Sequence, residues 1–118
     1  MKETLLVKHA IGGRTFLDSD RDGFPYELRQ EGDRWHLSIR IGDSTQIEDA
    51  QVEELLVWKS ELNVFLFQED SDQPVQKRWF YVEKDAVHYD AEQQILVIEA
   101  ASSISYTPDT FGPSSSSV

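Results

Sequence analysis

The sequence predicts an all-β fold: an antiparallel meander of hairpins that makes a small sandwich or a partly closed barrel, with at most one short helix near residues 46–51. Three observations carry this expectation. Residues 56–68 and 87–99 share one grammar, an apolar-x-aromatic triplet, a break of five residues, then four consecutive apolar residues. Trp35, Leu37, Ile39 and Ile41 alternate with polar residues, the mark of a strand with one buried face. The apolar segments are short and joined by polar turns, and no long helical pattern of the kind a βαβ unit needs lies between them.

Taken in order, Thr4–Val7 is an apolar run that suits a first strand. Gly12-Gly13 interrupts it, and Thr15-Phe16-Leu17 resumes. Asp18–Gly23 (Asp-Ser-Asp-Arg-Asp-Gly) is a turn by its chemistry, because Asp caps nearby backbone and Gly tolerates left-handed conformations. Phe24, Tyr26 and Leu28 then alternate, Glu31-Gly32-Asp33 turns the chain, and Trp35 to Ile41 form the return strand, which Gly42-Asp43-Ser44 ends.

Thr45-Gln46-Ile47-Glu48 has the spacing of a capping box, which allows a helix as far as Trp58. The block Leu55-Leu56-Val57-Trp58 has no clean helical stripe, and its likeness to residues 87–99 favours a strand from about Val52. The expectation is therefore a single helical turn at Ile47–Gln51. Val64–Phe67, Trp79–Val82 and Ile95–Ile98 read as strands that are apolar on both faces. Glu69–Pro74 reads as a polar loop, Glu83-Lys84-Asp85 as a tight connection, and Ser102–Tyr106 as a last edge strand. One domain over residues 1–107 is expected, followed by a tail, 108–118, whose Pro, Gly and Ser content is that of a disordered segment.

Composition narrows the function. The chain of 118 residues has 11 basic and 22 acidic residues, a net charge of −11. Residues 1–50 contribute 7 basic and 10 acidic (net −3); residues 51–118 contribute 4 and 12 (net −8). Such a surface repels phosphates and anionic lipid, so neither direct nucleic-acid contact nor membrane binding is expected. With no cysteine, disulfides and thiolate metal sites are excluded. The opening Met-Lys-Glu-Thr-Leu-Leu-Val-Lys is too short in apolar residues for a signal peptide, and a cytoplasmic protein is expected.

Motifs for chemistry are sparse. The Asp-x-Asp-x-Asp-Gly spacing at Asp18–Gly23 is similar to a calcium loop, but position 12 of that loop, where a bidentate Glu is needed, is Arg29; a surface turn is the expectation. His88 shares a strand face with Asp90 and has Asp85 nearby, and His36 shares a face with Ser38; outward polar residues explain both pairs. No cofactor and no metal are expected. The leading expectation is a non-enzymatic protein-binding module of the inhibitor, immunity or assembly-factor kind, docking on a basic partner protein, with homo-oligomerisation open. Trp58, Phe65, Phe67, Trp79 and Tyr81 are the candidate anchors, and Glu69, Asp70 and Asp72 the candidate rim charges. The alternative is a small-ligand-binding β-barrel; an enzyme built on His88 with Asp85 or Asp90 ranks third.

Overall fold

The computed structural model describes residues 2–44, 46–70 and 72–106. Seven strands form one sheet: β1 (Lys2–His9), β2 (Thr15–Asp18), β3 (Tyr26–Glu31), β4 (Arg34–Arg40), β5 (Leu62–Asp70), β6 (Gln73–Asp90) and β7 (Ile95–Tyr106). Their order is β2-β1-β5-β6-β7-β4-β3, every pairing is antiparallel, and the sheet curls into a half-barrel. The expected tail, 108–118, and the domain boundary at residue 107 lie outside the described residues.

Alternation sets the two faces. Leu5 and Val7 of β1, Leu62, Val64 and Leu66 of β5, Phe80 of β6, Leu96, Ile98 and Ala100 of β7, and Leu37 and Ile39 of β4 are buried on the concave side. Tyr26, Leu28 and Trp35 pack against this core, and the Trp35 ring meets Phe80 edge-on at 5.2 Å. The core is filled. The gap bounded by Leu28, Trp35, Leu37, Val64, Phe80, Ile98 and Ala100 measures about 10 Å3, at the lower limit for a single water.

The one helix longer than a turn among the described residues is α2, Asp49–Val57. It corrects the expected strand from Val52. Val52 and Leu55 are buried and Leu56 is partly so, which is the i, i+3, i+4 stripe of a helix, while Val57 is 72% exposed. The apolar block that suggested a strand is therefore divided between core and solvent. Thr45, the expected cap, lies outside the described residues; the helix starts from Glu48, whose N–H donates to Gln51 Oε1 at 3.0 Å. The first of the two matching hairpins is thus a helix followed by β5, whereas the second, residues 87–99, is a hairpin as expected.

Glu83-Lys84-Asp85 is not a connection either. It belongs to β6, which continues in one direction past an irregularity where Val82 faces Ala100 and Val87 faces Ile98. Because β7 runs on along both sides of that excursion, the chain has no reason to reverse there. Ser102–Tyr106 is the far half of β7 and not a separate strand. Two long strands, β6 and β7, therefore tie the β2-β1-β5 side to the β4-β3 side.

Asp18–Gly23 closes the gap between the two outer strands, β2 and β3. Asp18 caps the one-turn helix α1 (Ser19–Asp22), accepting from the N–H groups of Asp20 (2.9 Å) and Arg21 (3.2 Å). Gly23 ends it at φ 62°, where a side chain is strained. Asp22 is 4% exposed and accepts from the Asp18 N–H at 3.0 Å and from Arg21 Nε and Nη2 at 2.8 and 2.9 Å. Ser19 Oγ accepts from Leu5 N–H on one side of the gap, and Ser44 Oγ donates to the Asp22 carbonyl on the other. Tyr26 donates its hydroxyl to Glu3, joining β3 to β1. Burial and that carboxylate push the Tyr26 phenol well above its ordinary pKa.

Candidate docking interface

The convex side of a sheet whose concave side is filled is the side that meets solvent, and polar residues are the norm there. Over β1, β5, β6 and β7 this face carries an apolar row instead. Leu6 stands opposite Phe65, Phe65 opposite Trp79, and Trp79 opposite Ile104, so four apolar side chains form one row across four strands. On one side of this row lies Thr4–Phe67–Lys77, and on the other Lys8–Asn63–Tyr81–Ser102. Tyr81 is 53% and Ile104 55% exposed, while Leu6, Phe65, Phe67 and Trp79 are half-buried by one another.

The rings are organised. Trp79 and Tyr81 meet edge-to-face at 6.4 Å. Lys77 Nζ lies 4.6 Å from the centre of the Phe65 ring and 5.2 Å from that of Phe67, within cation–π range of both. The Trp79 Nε1–H is buried with no hydrogen-bond partner among the described residues.

Of the residues singled out from sequence, Phe65, Phe67, Trp79 and Tyr81 share this face. Glu69 and Asp70, at the end of β5, and Asp72, in the β5–β6 turn, are exposed beyond Phe67. Trp58 is elsewhere. It caps the end of α2 and its ring meets that of His9 at a tilt of 47°, 4.9 Å between centres, and His9 pairs with Leu62, at the other end of β5 from Glu69. Leu6 and Ile104 were not singled out. Ile104 carried a usable signal, a lone large apolar residue between serines on a strand with polar neighbours.

The other candidates do not assemble. His88 is exposed opposite Val97. Asp90 caps the following turn, accepting from the N–H groups of Glu92 and Gln93. Asp85 sits in the exposed excursion of β6. His36 faces Glu99 at 3.7 Å, which Arg34 also approaches at 3.8 Å. Arg34 makes two hydrogen bonds of 3.1 Å to Glu83 and holds that carboxyl below its ordinary pKa. Among the described residues no three His, Cys, Asp or Glu side chains are grouped to hold a metal, and no helix is long and apolar enough to cross a membrane.

Two open clefts flank α2. One of about 220 Å3 lies against β2 and is lined by Arg14, Arg21, Asp22, Gln51 and Glu54. The other, about 250 Å3, lies against the β6–β7 turn and is lined by Asp49, Val52, Glu53, Leu56 and Tyr89. Burial, then the charges of Asp49 and Asp90, push the Tyr89 phenol up. Comparison with known proteins finds no matching family model, curated protein or solved structure.

Proposed function

We propose that this chain is a non-enzymatic docking module that binds a basic protein through the convex face of β1, β5, β6 and β7. The observation that carries the reading is the row Leu6–Phe65–Trp79–Ile104 with Phe67 and Tyr81 beside it, an apolar patch on the solvent side of the sheet that no other described residues cover. Contiguous exposed apolar patches on soluble proteins mark interaction sites, and Trp and Tyr are enriched among the anchors of such sites. The net charge of −11 favours a cationic partner and speeds its approach. Glu69, Asp70 and Asp72 stand at the edge of the patch, where charges act mainly on the association rate. Inhibitor, immunity-type and assembly-factor roles would all fit such a surface.

The experiment is affinity capture from the source cell, followed by binding measurements with the purified partner. Tyr81→Ala is expected to weaken binding by about 2 kcal/mol or more through faster dissociation. Glu69→Gln combined with Asp70→Asn is expected to slow association and flatten its salt dependence. Binding that ignores Tyr81→Ala, Phe67→Ala and Trp79→Ala alike would remove the face from consideration.

A further inference from the structure

An open sheet must do something with its edges, because each presents unpaired N–H and C=O groups to any passing strand. In this chain the exposed edges are guarded in recognisable ways. The β2 edge is four residues long and runs straight into α1. The β3 edge carries Glu27, Arg29 and Glu31, all exposed, with Arg29 within 3.7 and 3.5 Å of the two carboxylates. The part of β6 beyond β5 carries Glu83, Lys84 and Asp85 in an irregular stretch.

One edge has none of these devices. The ladder between β4 and β7 stops at Trp35 opposite Ala100, since the β3–β4 turn comes next. From Ser102 to Tyr106, β7 pairs with β6 on one side and with no described strand on the other. The registers Lys77–Tyr106 through Tyr81–Ser102 run without a shift. No charged residue and no proline lies between Glu99 and Thr107. The result is an uncharged strand edge of unbroken register, without a partner among the described residues, that borders the apolar row at Ile104.

We propose that Ser102–Tyr106 is a strand-addition site, at which an extended segment of the basic partner pairs with β7 and enlarges the sheet. The inference rests on the docking reading and specifies how the partner engages. The side chains of β7 dictate the pattern of the guest strand. On the convex side its residues fall in line with Ile104 and Trp79 and are apolar. On the concave side they fall beside Ser103 and Ser105 and are small and polar; Ser105 Oγ already accepts from Arg78 Nε at 2.8 Å, and Arg78 lies over the Trp35 ring at 4.9 Å. Lysine or arginine at the ends of the segment matches the net charge of −11. A second copy of the chain would bring like net charges together, which argues for a different, cationic partner. Backbone pairing supplies the affinity and the alternate side chains the specificity, as in other strand-addition complexes.

The test needs no natural partner. The probe is the acetylated, amidated peptide Lys-Val-Thr-Val-Thr-Val-Lys, compared with a version N-methylated at every residue, which keeps the side chains and charge but leaves no strand N–H on either edge to pair with β7. The full chain is titrated with each peptide, and binding is followed by amide chemical shifts and hydrogen exchange. The unmodified peptide is expected to bind and to slow exchange at amides within Ser102–Tyr106. The methylated peptide is expected to bind about tenfold more weakly or less, the equivalent of a pair of backbone hydrogen bonds. Equal binding of the two peptides, protection elsewhere, or no binding by either would overturn strand addition. Protection of Ser102–Tyr106 in the chain alone, growing with its concentration, would identify a second copy as the occupant and overturn the partner assignment. Tyr81→Ala separates this from the docking reading: if it weakens both peptides equally while methylation has no effect, the face binds and the edge does not.

Discussion

Removing the Asp22 carboxylate isolates the closure of the half-barrel. Asp22→Ala takes the acceptor from the Asp18 N–H and from two Arg21 nitrogens, inside a segment that bridges β1 to the turn after β4. The stranded backbone donor costs about 1–3 kcal/mol. Arg21 is half exposed, so its contacts contribute under about 1 kcal/mol after solvent screening. The expected loss is about 2 kcal/mol, or a fall in Tm of about 8 °C for a domain of this size. Arg21→Met should cost less than half as much, because it leaves the Asp18 N–H satisfied. The assay is urea unfolding followed by tryptophan fluorescence, repeated over a pH series with Asp22→Asn as the isosteric control. Burial alone would raise the Asp22 pKa, but the Arg21 hydrogen bond, the Asp18 N–H and the Arg21 charge outweigh it and hold it below its ordinary value. A lowered carboxyl pKa adds stability above the unfolded value, about 3.9, and that part disappears as pH falls through the folded value. The advantage of wild type over Asp22→Asn should therefore be present at neutral pH and shrink in acid below about pH 4. An Asp22→Ala cost under about 0.5 kcal/mol, or an Arg21→Met cost equal to it, would refute the backbone-acceptor argument.

Three further outcomes are expected. Leu55→Ala should cost about 2–5 kcal/mol in denaturant unfolding while Val57→Ala is nearly neutral, a contrast that a helix over Asp49–Val57 requires and an extended strand does not. A Cβ at Gly42 would stand 2.8 Å from Gln94 Oε1 and 3.1 Å from Gln94 Cβ, and Gln94 itself has φ 55°; Gly42→Ala should cost about 1 kcal/mol, and a double-mutant cycle should show that cost vanishing in Gln94→Gly. Calcium in modest excess should leave Tm unchanged, because Asp18 and Asp22 already serve backbone N–H groups and Arg21; a rise abolished by Asp20→Ala would contradict this.

The strands from Tyr26 to Arg40 were legible because one face is buried and one is wet, so the sequence alternates visibly. The runs at Val64–Phe67 and Trp79–Val82 were legible as strands for a different reason: their convex side is also apolar. That same property made their register unreadable, since a run of four consecutive apolar residues carries no period. Helix α2 was misjudged because its stripe, Val52, Leu55 and Leu56, is followed by exposed Val57 and Trp58, which extend the apolar block and blur the spacing. The excursion at Glu83–Ala86 was hidden for a local reason as well, since charged residues in a bulge look the same as charged residues in a turn. Trp58 is aromatic and close in sequence to β5, but as the cap of α2 it sits beside the Leu62 end of that strand, away from Glu69.

The strand order also has a kinetic consequence. Thr4 is paired with Phe67 and Ile39 with Leu96, so each early strand waits for a partner made much later. Only the β1–β2 and β3–β4 hairpins are complete in the first third of the chain, and a lone hairpin is marginal in water. The two halves join only once both β6 and β7 have been made, so the core cannot close while the earlier strands stand alone. Contacts this distant in sequence imply slow folding, with apolar strands exposed while it proceeds. The self-repulsion of a nascent chain rich in Asp and Glu is then useful before any partner is met, holding unfinished copies apart during that interval.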